Sequence, residues 1–424
     1  MAISKTKPVP LYPTYFDLIE FDFEDYPELN AFFDEQPAWW LEQFNWGKAY
    51  LEYVGRNKSP HTYDRFRNEV ERFLLWSFLE KQTPIDQLRK ADILEYADFC
   101  WQPPINWIGT SNQERFKVAA GYSSANEHWA PFKVQLSKSQ LSKLTANAQP
   151  LDVNQLKKKY RPSQQTLTSM FTGIIVFYNY LMSEEFCLGN PAQIAKKDCR
   201  HFITDVQVKE VNRLSSTQWQ YVLDVAVEMA DEDAVYERNL FVIAALKTLF
   251  LRISELSERA TWSPIMGHFW LDDDDNWWLK VFGKGRKLRD VTVPVDFLPF
   301  LERYRLSRGL YGLPSSNENT VLVEKIRGQG GMTARHLRRI VQAVFDQAYD
   351  KMRQYEGENK ALRLKEATTH WLRHTGASME IERGRELKDV SEDLGHASMA
   401  TTDTVYVQTE NKQRAASGKK RKVN

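Results

Sequence analysis

The chain has 424 residues, of which 42% are hydrophobic and 27% are charged, as is usual for folded globular proteins. This length is sufficient for two or three domains, and the net charge of +1 does not by itself indicate a nucleic-acid partner. The cysteines Cys100, Cys187 and Cys199 form no Cys-x-x-Cys pair, which argues against a disulfide framework and a cysteine-ligated metal. The N-terminus lacks the apolar segment of a signal peptide and no apolar run reaches membrane-spanning length, so we expect a cytoplasmic protein without membrane contact.

The first 41 residues are acidic and aromatic, with eight carboxylates, two lysines and five prolines. We expect little regular helix there and interpret residues 1–41 as an arm packed on the next domain. The other end is a basic tail, residues 411–424, which contains Lys419, Lys420, Arg421 and Lys422. This tail resembles a nuclear localisation signal, but a disordered segment that touches phosphates, or a weak partner contact, is the favoured interpretation. An acidic head on a basic body is compatible with a polyanionic partner.

Residues 42–195 have helical periodicity and predict a small all-helical domain. Ser59 followed by Pro60 is a typical helix start, and apolar residues then recur at helical spacing. An irregular insertion is expected over 101–160, and 196–213 is interpreted as a linker.

A cluster of cations lies at the end of that insertion. Its members are Lys157, Lys158, Lys159 and Arg161. A solvated helix start and a contact to phosphate explain it equally well.

A second domain is predicted over 214–410. Its most apolar helix, from about Val235 to Leu251, is expected in the core and leads directly to Arg252. An arginine at a helix end can simply complement the helix dipole, so Arg252 alone does not indicate a functional site.

Two β-type runs, Trp277–Phe282 and Leu288–Val293, predict a hairpin. Its tip is basic, and Lys284 lies between two glycines, which allow a ligand to approach the backbone closely. The candidate phosphate contacts of this tip are Lys284, Arg286 and Lys287.

A later helix, capped by Thr333, carries a uniformly basic face. The candidate contacts on it are Arg335, Arg338 and Arg339, next to His336. A charged helix face is usually only solvated, but a face of one sign also fits a DNA backbone.

The most distinctive stretch lies between residues 369 and 406. His370 and Arg373 are three residues apart and therefore share one helix face. His396 follows in the sequence Leu-Gly-His-Ala-Ser, and Tyr406 is the only tyrosine after it. Cationic side chains near a lone tyrosine are suited to nucleophilic attack on a phosphodiester.

Taken in order, these segments resemble the tyrosine recombinase (phage integrase) family. Leu251–Leu256 is similar to the family's first-arginine box, and Gly283–Arg289 to its hairpin lysine. His370–Thr375 is similar to its H-x-x-R helix, and Leu394–Ser398, with the threonines that follow, to its last box before the nucleophile. The specific motifs cover 214–410. The likeness over 42–195 is one of helical pattern only.

The resemblance implies a mainly α fold with a small β-sheet. An N-terminal all-helical core-binding (SAM-like) domain would join a C-terminal α+β catalytic domain, and together they would form a C-shaped clamp on DNA. The implied partners are double-stranded DNA with specific recombination sites and further copies of the chain, four protomers on two sites.

The resemblance also assigns roles to six residues. Tyr406 would be the nucleophile that forms a 3′-phosphotyrosine, and the remaining catalytic residues would be Arg252, Lys284, His370, Arg373 and His396. Arginines are permanently charged forks of donors that suit phosphate oxygens, whereas tyrosine, with an unperturbed pKa of about 10, needs help to lose its proton. His370 is the candidate general base or its relay. No metal and no cofactor are expected.

Two alternatives share parts of this pattern. A type IB topoisomerase-like enzyme would relax DNA with the same chemistry, and a non-catalytic relative would bind DNA without cutting it. A recombinase of a mobile element (a transposon, an integrative element or a phage), bacterial, cytoplasmic and nucleoid-associated, is the expected role.

Overall fold

The computed structural model describes residues 7–34, 36–110, 113–119, 121–134, 153–202, 212–283, 287–396 and 418–419. The chain forms two compact units, Met1–Gln207 and Val208–Asn424. Each unit has a hydrophobic core of its own. Within the described ranges, no helix combines the length and the apolar character that crossing a membrane would require.

The first unit is built mainly of helices. They are α1 (Tyr15–Ile19), α2 (Pro27–Asp34), α3 (Ala38–Asn57), α4 (Pro60–Trp76), α5 (Lys90–Trp101), α6 (Val153–Lys158), α7 (Gln164–Ser183) and α8 (Pro191–Asp198). The predicted cap is confirmed, since the Ser59 hydroxyl accepts from the backbone N–H of Thr62 at the start of α4. The helix α4 continues into one π-helical turn, Ser77–Lys81.

The acidic N-terminal segment is more regular than its prolines suggested. The expectation of little helix across residues 1–41 is wrong, because α1, α2 and the start of α3 lie there. Pro27 is the first residue of α2 and Pro37 is the N-cap of α3, and these are positions where a missing N–H costs nothing. Six of its apolar residues are buried in the core of the first unit: Leu11, Tyr12, Leu18, Tyr26, Leu29 and Phe33.

The insertion expected to be irregular contains two short strand pairs, so the first unit is not entirely helical. Strand β1 (Ile108–Gly109) pairs with β4 (Phe132–Lys133), and β2 (Phe116–Ala119) pairs with β3 (Tyr122–Ala125). One of the two interpretations of the lysine cluster, a solvated helix start, does not match its position in the structure. Lys157 and Lys158 lie in the last turn of α6, where cations complement the helix dipole, and not at a helix start.

The second unit is also mainly helical, around one three-stranded sheet. Its helices are α9 (Ser216–Glu232), α10 (Glu237–Thr248), α11 (Ile253–Leu256), α12 (Leu298–Ser307), α13 (Ala334–Glu356), α14 (Glu358–Glu366), α15 (Thr369–Glu382) and α16 (Leu387–Leu394). Its strands are β5 (Phe269–Leu271), β6 (Trp277–Phe282) and β7 (Leu288–Val293), paired antiparallel in that order. The predicted hairpin is confirmed, with Trp277 opposite Val293 and Phe282 opposite Leu288. The mainly α fold with a small sheet is therefore confirmed.

The apolar helix before Arg252 is the centre of the second unit. All residues from Leu240 to Leu246, which belong to α10, are buried. The helix ends earlier than predicted, at Thr248, and Phe250 adopts a left-handed backbone with φ of +50°. Arg252 was expected at the end of this helix. It is instead the N-cap of the next short helix, α11.

Glu71 on α4 fastens the N-terminal segment to the first unit. Its carboxylate is 1% exposed and accepts from the backbone N–H of Leu11 at 2.7 Å and of Tyr12 at 3.3 Å. The other carboxylate oxygen accepts from Arg115 Nη1 at 2.7 Å. One buried charge thus joins the segment, α4 and the region before β2.

We predict that Glu71→Ala destabilises the first unit by about 3 kcal/mol, because it leaves Arg115 buried without its counter-ion. Hydrogen exchange of residues 7–34, measured by mass spectrometry in the full chain, should become faster. Glu52→Ala is the control: it breaks the half-exposed pair with Lys48 and should cost less than about 1 kcal/mol. Unchanged exchange in Glu71→Ala would show that the carboxylate does not hold the segment.

Candidate active site

Arg252 is placed by the turn between α10 and α11. Its backbone N–H donates to Glu255 Oε2 at 2.8 Å, and its Nη1 donates to Glu255 Oε1 at 3.1 Å. Glu255, the third residue of α11, thus accepts from the backbone N–H of the N-cap residue Arg252, which is one half of a capping box. About a quarter of the Arg252 side chain, 26%, remains exposed, so a ligand can reach this side chain while Glu255 holds its Nη1.

Arg373, on α15, is almost completely buried at 1% exposure. Its Nη1 donates to the carbonyl oxygen of Phe250 at 2.7 Å, and its Nη2 donates to the carbonyl oxygen of Leu394 at 2.5 Å. Burial, and then the positive charge of Arg252, lower the pKa of Arg373 to about 9, so it remains a cation at neutral pH.

His396 lies directly beside Arg373. The Nη2 of Arg373 is 3.2 Å from His396 Nε2. Because a guanidinium can only donate, Nε2 is the acceptor and the proton of the neutral ring is on Nδ1. Burial and the cations Arg373, Arg252 and Arg289 lower the pKa of His396 to about 4.

His370 and His374 are neighbours on α15, one turn apart. Their rings meet edge to face with centroids 4.4 Å apart. Partial desolvation, then Arg373 and Arg252, lower the pKa of His370, and burial, His370 and Arg373 lower that of His374 to about 4. All three histidines are therefore neutral at pH 7, so His370 is able to accept a proton.

Four of the six residues singled out as catalytic come together in one place: Arg252, His370, Arg373 and His396. Lys284 and Tyr406 lie outside the described residues, as do Arg286 and most of the basic tail. The hairpin is described up to its base, where the N–H of Gly283 donates to the carbonyl of Lys287 at 2.8 Å.

Two further residues complete this site, and sequence reasoning did not give them a role. Glu255 has a side chain with 0% exposure, and Arg289 donates to both of its oxygens at 2.6 and 3.1 Å. Burial raises the pKa of Glu255, but the hydrogen bonds and charge of Arg289 outweigh it, so the pKa is lowered and the carboxylate is ionised. In the sequence, Glu255 lies within the first-arginine box and Arg289 at the end of the hairpin segment, but neither residue was assigned a role there.

The candidate DNA contacts lie on exposed surfaces. Arg335, Arg338 and Arg339 form an exposed face of α13 in the second unit, and none of them makes an ion pair with a described residue. In the first unit, Lys158, Lys159 and Arg161 are exposed and Lys157 is half-buried. Lys287 is exposed at the base of the hairpin.

Comparison with known proteins agrees with this arrangement. Residues 212–413 match the phage integrase family. The tyrosine recombinase XerC of Salmonella typhi is 29% identical over 231 residues, which cover 53% of this chain and 63% of XerC. XerC of Thermodesulfovibrio yellowstonii is 28% identical over 246 residues, 57% of this chain and 70% of that protein. The match to the Salmonella protein thus spans less than two thirds of its length.

A solved structure shares the fold over nearly the whole chain. It is the XerH site-specific recombinase bound to palindromic difH substrate in a post-cleavage complex, with a TM-score of 0.55 at 15% identity over 97% of this chain and 99% of that one. The second unit is thus a domain of the phage integrase type. The match of residues 212–413 to the phage integrase family confirms, for this domain, the resemblance found in its motifs.

The depressed pKa values predict acid sensitivity of the second unit. His374 titrates near pH 4 when folded and near 6.5 when unfolded, so its stability contribution is present above pH 6.5 and is lost as pH falls toward 4. The loss should be on the order of 2 kcal/mol for this half-buried ring. In His374→Phe, the difference in urea stability between about pH 7 and about pH 4 should shrink by that amount.

The matched control is His128→Gln, which changes a largely exposed histidine, 66% exposed in its side chain, in the first unit. It should leave the pH dependence as in the wild type. An unchanged pH dependence in His374→Phe would mean that His374 does not carry this effect.

Proposed function

We propose that this protein is a site-specific DNA recombinase that cuts and rejoins DNA strands through a 3′-phosphotyrosine. The observation that carries the proposal is the group of Arg252, Arg373 and His396 beside a neutral His370. Arg373 and His396 are 3.2 Å apart, and Arg252 is close enough to lower the pKa of both Arg373 and His396. A phosphodiester in the transition state gains negative charge on its non-bridging oxygens, and fixed cations and donors stabilise that charge.

In the first step, the phenolic oxygen of Tyr406 attacks the scissile phosphorus. A bond forms between this oxygen and phosphorus as the bond to the 5′-oxygen breaks, and Lys284 gives that leaving oxygen its proton. His370, neutral at pH 7 because desolvation and two arginines depress its pKa, takes the phenolic proton. The reverse attack by a 5′-hydroxyl restores the phosphodiester, so neither ATP nor a metal ion enters the reaction.

The two units have separate tasks in this proposal. Residues 214–410 are the catalytic domain, and 42–195 are the core-type DNA-binding domain, joined by a linker over 196–213. Lys157, Lys158, Lys159 and Arg161 in the first domain, and Arg335, Arg338 and Arg339 in the second, bind phosphates, as do Arg286 and Lys287 at the hairpin. Both domains bind the duplex in this proposal, with 1–41 as an arm of the first domain and 411–424 as a tail.

The reaction needs two recombination sites and four copies of the chain, because each protomer cuts one strand. The expected setting is a bacterial mobile element, with the protein in the cytoplasm on the nucleoid. The similar proteins support the recombinase class: two are tyrosine recombinases, and the third is a site-specific recombinase on its DNA substrate.

The direct test uses a nicked DNA substrate from which a short fragment diffuses away after cleavage, so that the covalent adduct accumulates. Wild-type protein should form an adduct that survives denaturing electrophoresis, and Tyr406→Phe should form none while still binding DNA. Tyr355→Phe, which changes an exposed tyrosine on α13 (74% exposed), is the matched control and should behave as wild type. Binding without any adduct would identify a non-catalytic relative, and relaxation of supercoils without exchange between two sites would identify a topoisomerase.

A second prediction concerns the basic face of α13. Arg338→Ala should lower the slope of log affinity against log salt concentration by about 1, because one phosphate contact and its counter-ion release are lost. Lys351→Ala is a control on the same helix, since Lys351 is paired with Glu228 and should leave the slope unchanged. Filter binding between about 50 and 200 mM salt measures both. Equal slopes for Arg338→Ala and wild type would remove this face from the DNA interface.

A further inference from the structure

The guanidinium of Arg289, on β7, contacts Glu255, the same carboxylate that Arg252 contacts. Its Nη1 and Nη2 donate to the two oxygens of Glu255 at 2.6 and 3.1 Å, in the two-point geometry typical of strong arginine–carboxylate pairs. Arg252 reaches the same carboxylate with Nη1 at 3.1 Å. One buried carboxylate is therefore shared between two arginines, and Arg289 makes the shorter contact and the greater number of contacts from the side chain.

Arg289 also contacts the two chain segments that flank the site. Its Nε donates to the carbonyl oxygen of Asp393 at 3.0 Å. A Cβ atom added at Gly395 would lie 2.8 Å from Arg289 Cδ, and one added at Gly283 would lie 3.1 Å from Arg289 Nη1. The guanidinium thus packs between the base of the hairpin and the glycine that precedes His396.

A second set of contacts holds the same turn against the same strand. The Asp393 carboxylate accepts from the N–H of Thr292 on β7 at 3.0 Å and from its hydroxyl at 2.6 Å, and from Arg385 Nη2 at 2.5 Å. The end of α16 is therefore fixed to β7 independently of Arg289, so loss of Arg289 does not release the turn altogether. What Arg289 adds is the larger share of the side-chain compensation of Glu255.

The consequence follows from the cost of a buried charge. An ionised carboxylate with 0% exposure requires a cation. Without Arg289, Arg252 is the arginine already bonded to Glu255, and the carboxylate would draw its guanidinium inward. If the Arg252 guanidinium moves toward Glu255, it can no longer contact a phosphate at the exposed side of the site.

We propose that Arg289 is a positioning residue that satisfies the Glu255 carboxylate and thereby leaves the exposed edge of Arg252 for the scissile phosphate. This inference rests on the proposed strand cleavage. Arg289 itself touches neither phosphate nor leaving group. It acts through Arg252.

The test is a pair of single variants and their combination, assayed in the full chain on the nicked substrate at saturating DNA. Arg289→Gln should lower the single-turnover rate of adduct formation by about 100-fold, the usual effect of losing a preorganised donor at a phosphoryl or acyl centre. Its DNA affinity should stay within about threefold of wild type, because no phosphate contact is removed.

The combined variant Arg289→Gln with Glu255→Gln distinguishes positioning from general structural support. A neutral amide no longer draws Arg252 inward, so the combined variant should cleave at least about tenfold faster than Arg289→Gln alone. If Arg289 served only to hold the fold, the rate per folded molecule would already be near wild type in Arg289→Gln, and removing its partner as well would leave it unchanged. Such a result would overturn the inference.

Arg289→Lys covers the case in which Arg289→Gln does not fold. Lysine keeps the charge that compensates Glu255 but offers a point charge in place of the fork. It should restore the wild-type melting temperature to within a few degrees and at least about a tenth of the cleavage rate. If Arg289→Lys folds but cleaves DNA no faster than Arg289→Gln, that result would also overturn the inference.

A matched pair elsewhere in the second unit controls for the loss of a buried arginine. Arg305 is 3% exposed, donates from Nη1 to Glu318 at 2.8 Å and from Nε to the carbonyl oxygen of Gly312 at 2.6 Å. Arg305→Gln, alone and with Glu318→Gln, should leave the cleavage rate of the folded protein unchanged. Absence of an adduct with wild-type protein would overturn the proposed function itself, whereas a wild-type adduct with full-speed Arg289→Gln would overturn only the role of Arg289.

Discussion

Arg373 is 1% exposed, carries a positive charge, and uses its two terminal nitrogens to hold the main-chain carbonyls of Phe250 and Leu394. A buried guanidinium must be hydrogen-bonded, so both carbonyls are fixed by the same side chain. The Phe250 carbonyl lies just before Arg252 and the Leu394 carbonyl just before His396. The positions of Arg252 and His396 therefore depend on one residue of α15, Arg373.

The left-handed backbone of Phe250 belongs to this arrangement. A non-glycine residue with φ of +50° costs on the order of 1 kcal/mol or more. That conformation ends α10 and turns the Phe250 carbonyl toward Arg373. The close approach of α15 to α10 has a second requirement, since a Cβ atom added at Gly376 would collide with the backbone carbonyl of Lys247. Strain and a missing side chain together allow two backbone carbonyls to bind a buried arginine, beside the ring nitrogen of His396.

Much of this was accessible from the sequence because it depends on local chemistry. Ser59 before Pro60, the apolar run of α10 and the glycine-bounded hairpin each have a signature within about ten residues. The prolines of the N-terminal segment misled because their effect depends on position: Pro27 and Pro37 start helices rather than preventing them. The contacts of Arg289 to Glu255 and Asp393 join residues 34 and 104 positions apart. No periodicity or spacing within one segment encodes such a contact, so the motifs located the site but did not reveal how its charges are balanced.

That balance also decides which groups can move protons. Arg252, Arg289 and Arg373 surround a single buried carboxylate, so the site keeps an excess of positive charge. Burial and this charge depress the pKa of His396, and burial with Arg373 and Arg252 does the same to His370. A neutral imidazole is the form that can accept a phenolic proton at pH 7. A bound phosphodiester brings a negative charge to the same place, which favours imidazolium and makes His370 a stronger base than in the free protein. In the proposed reaction, burial and the excess of cations keep His370 unprotonated before DNA binds, and the bound substrate supplies the charge that increases its basicity.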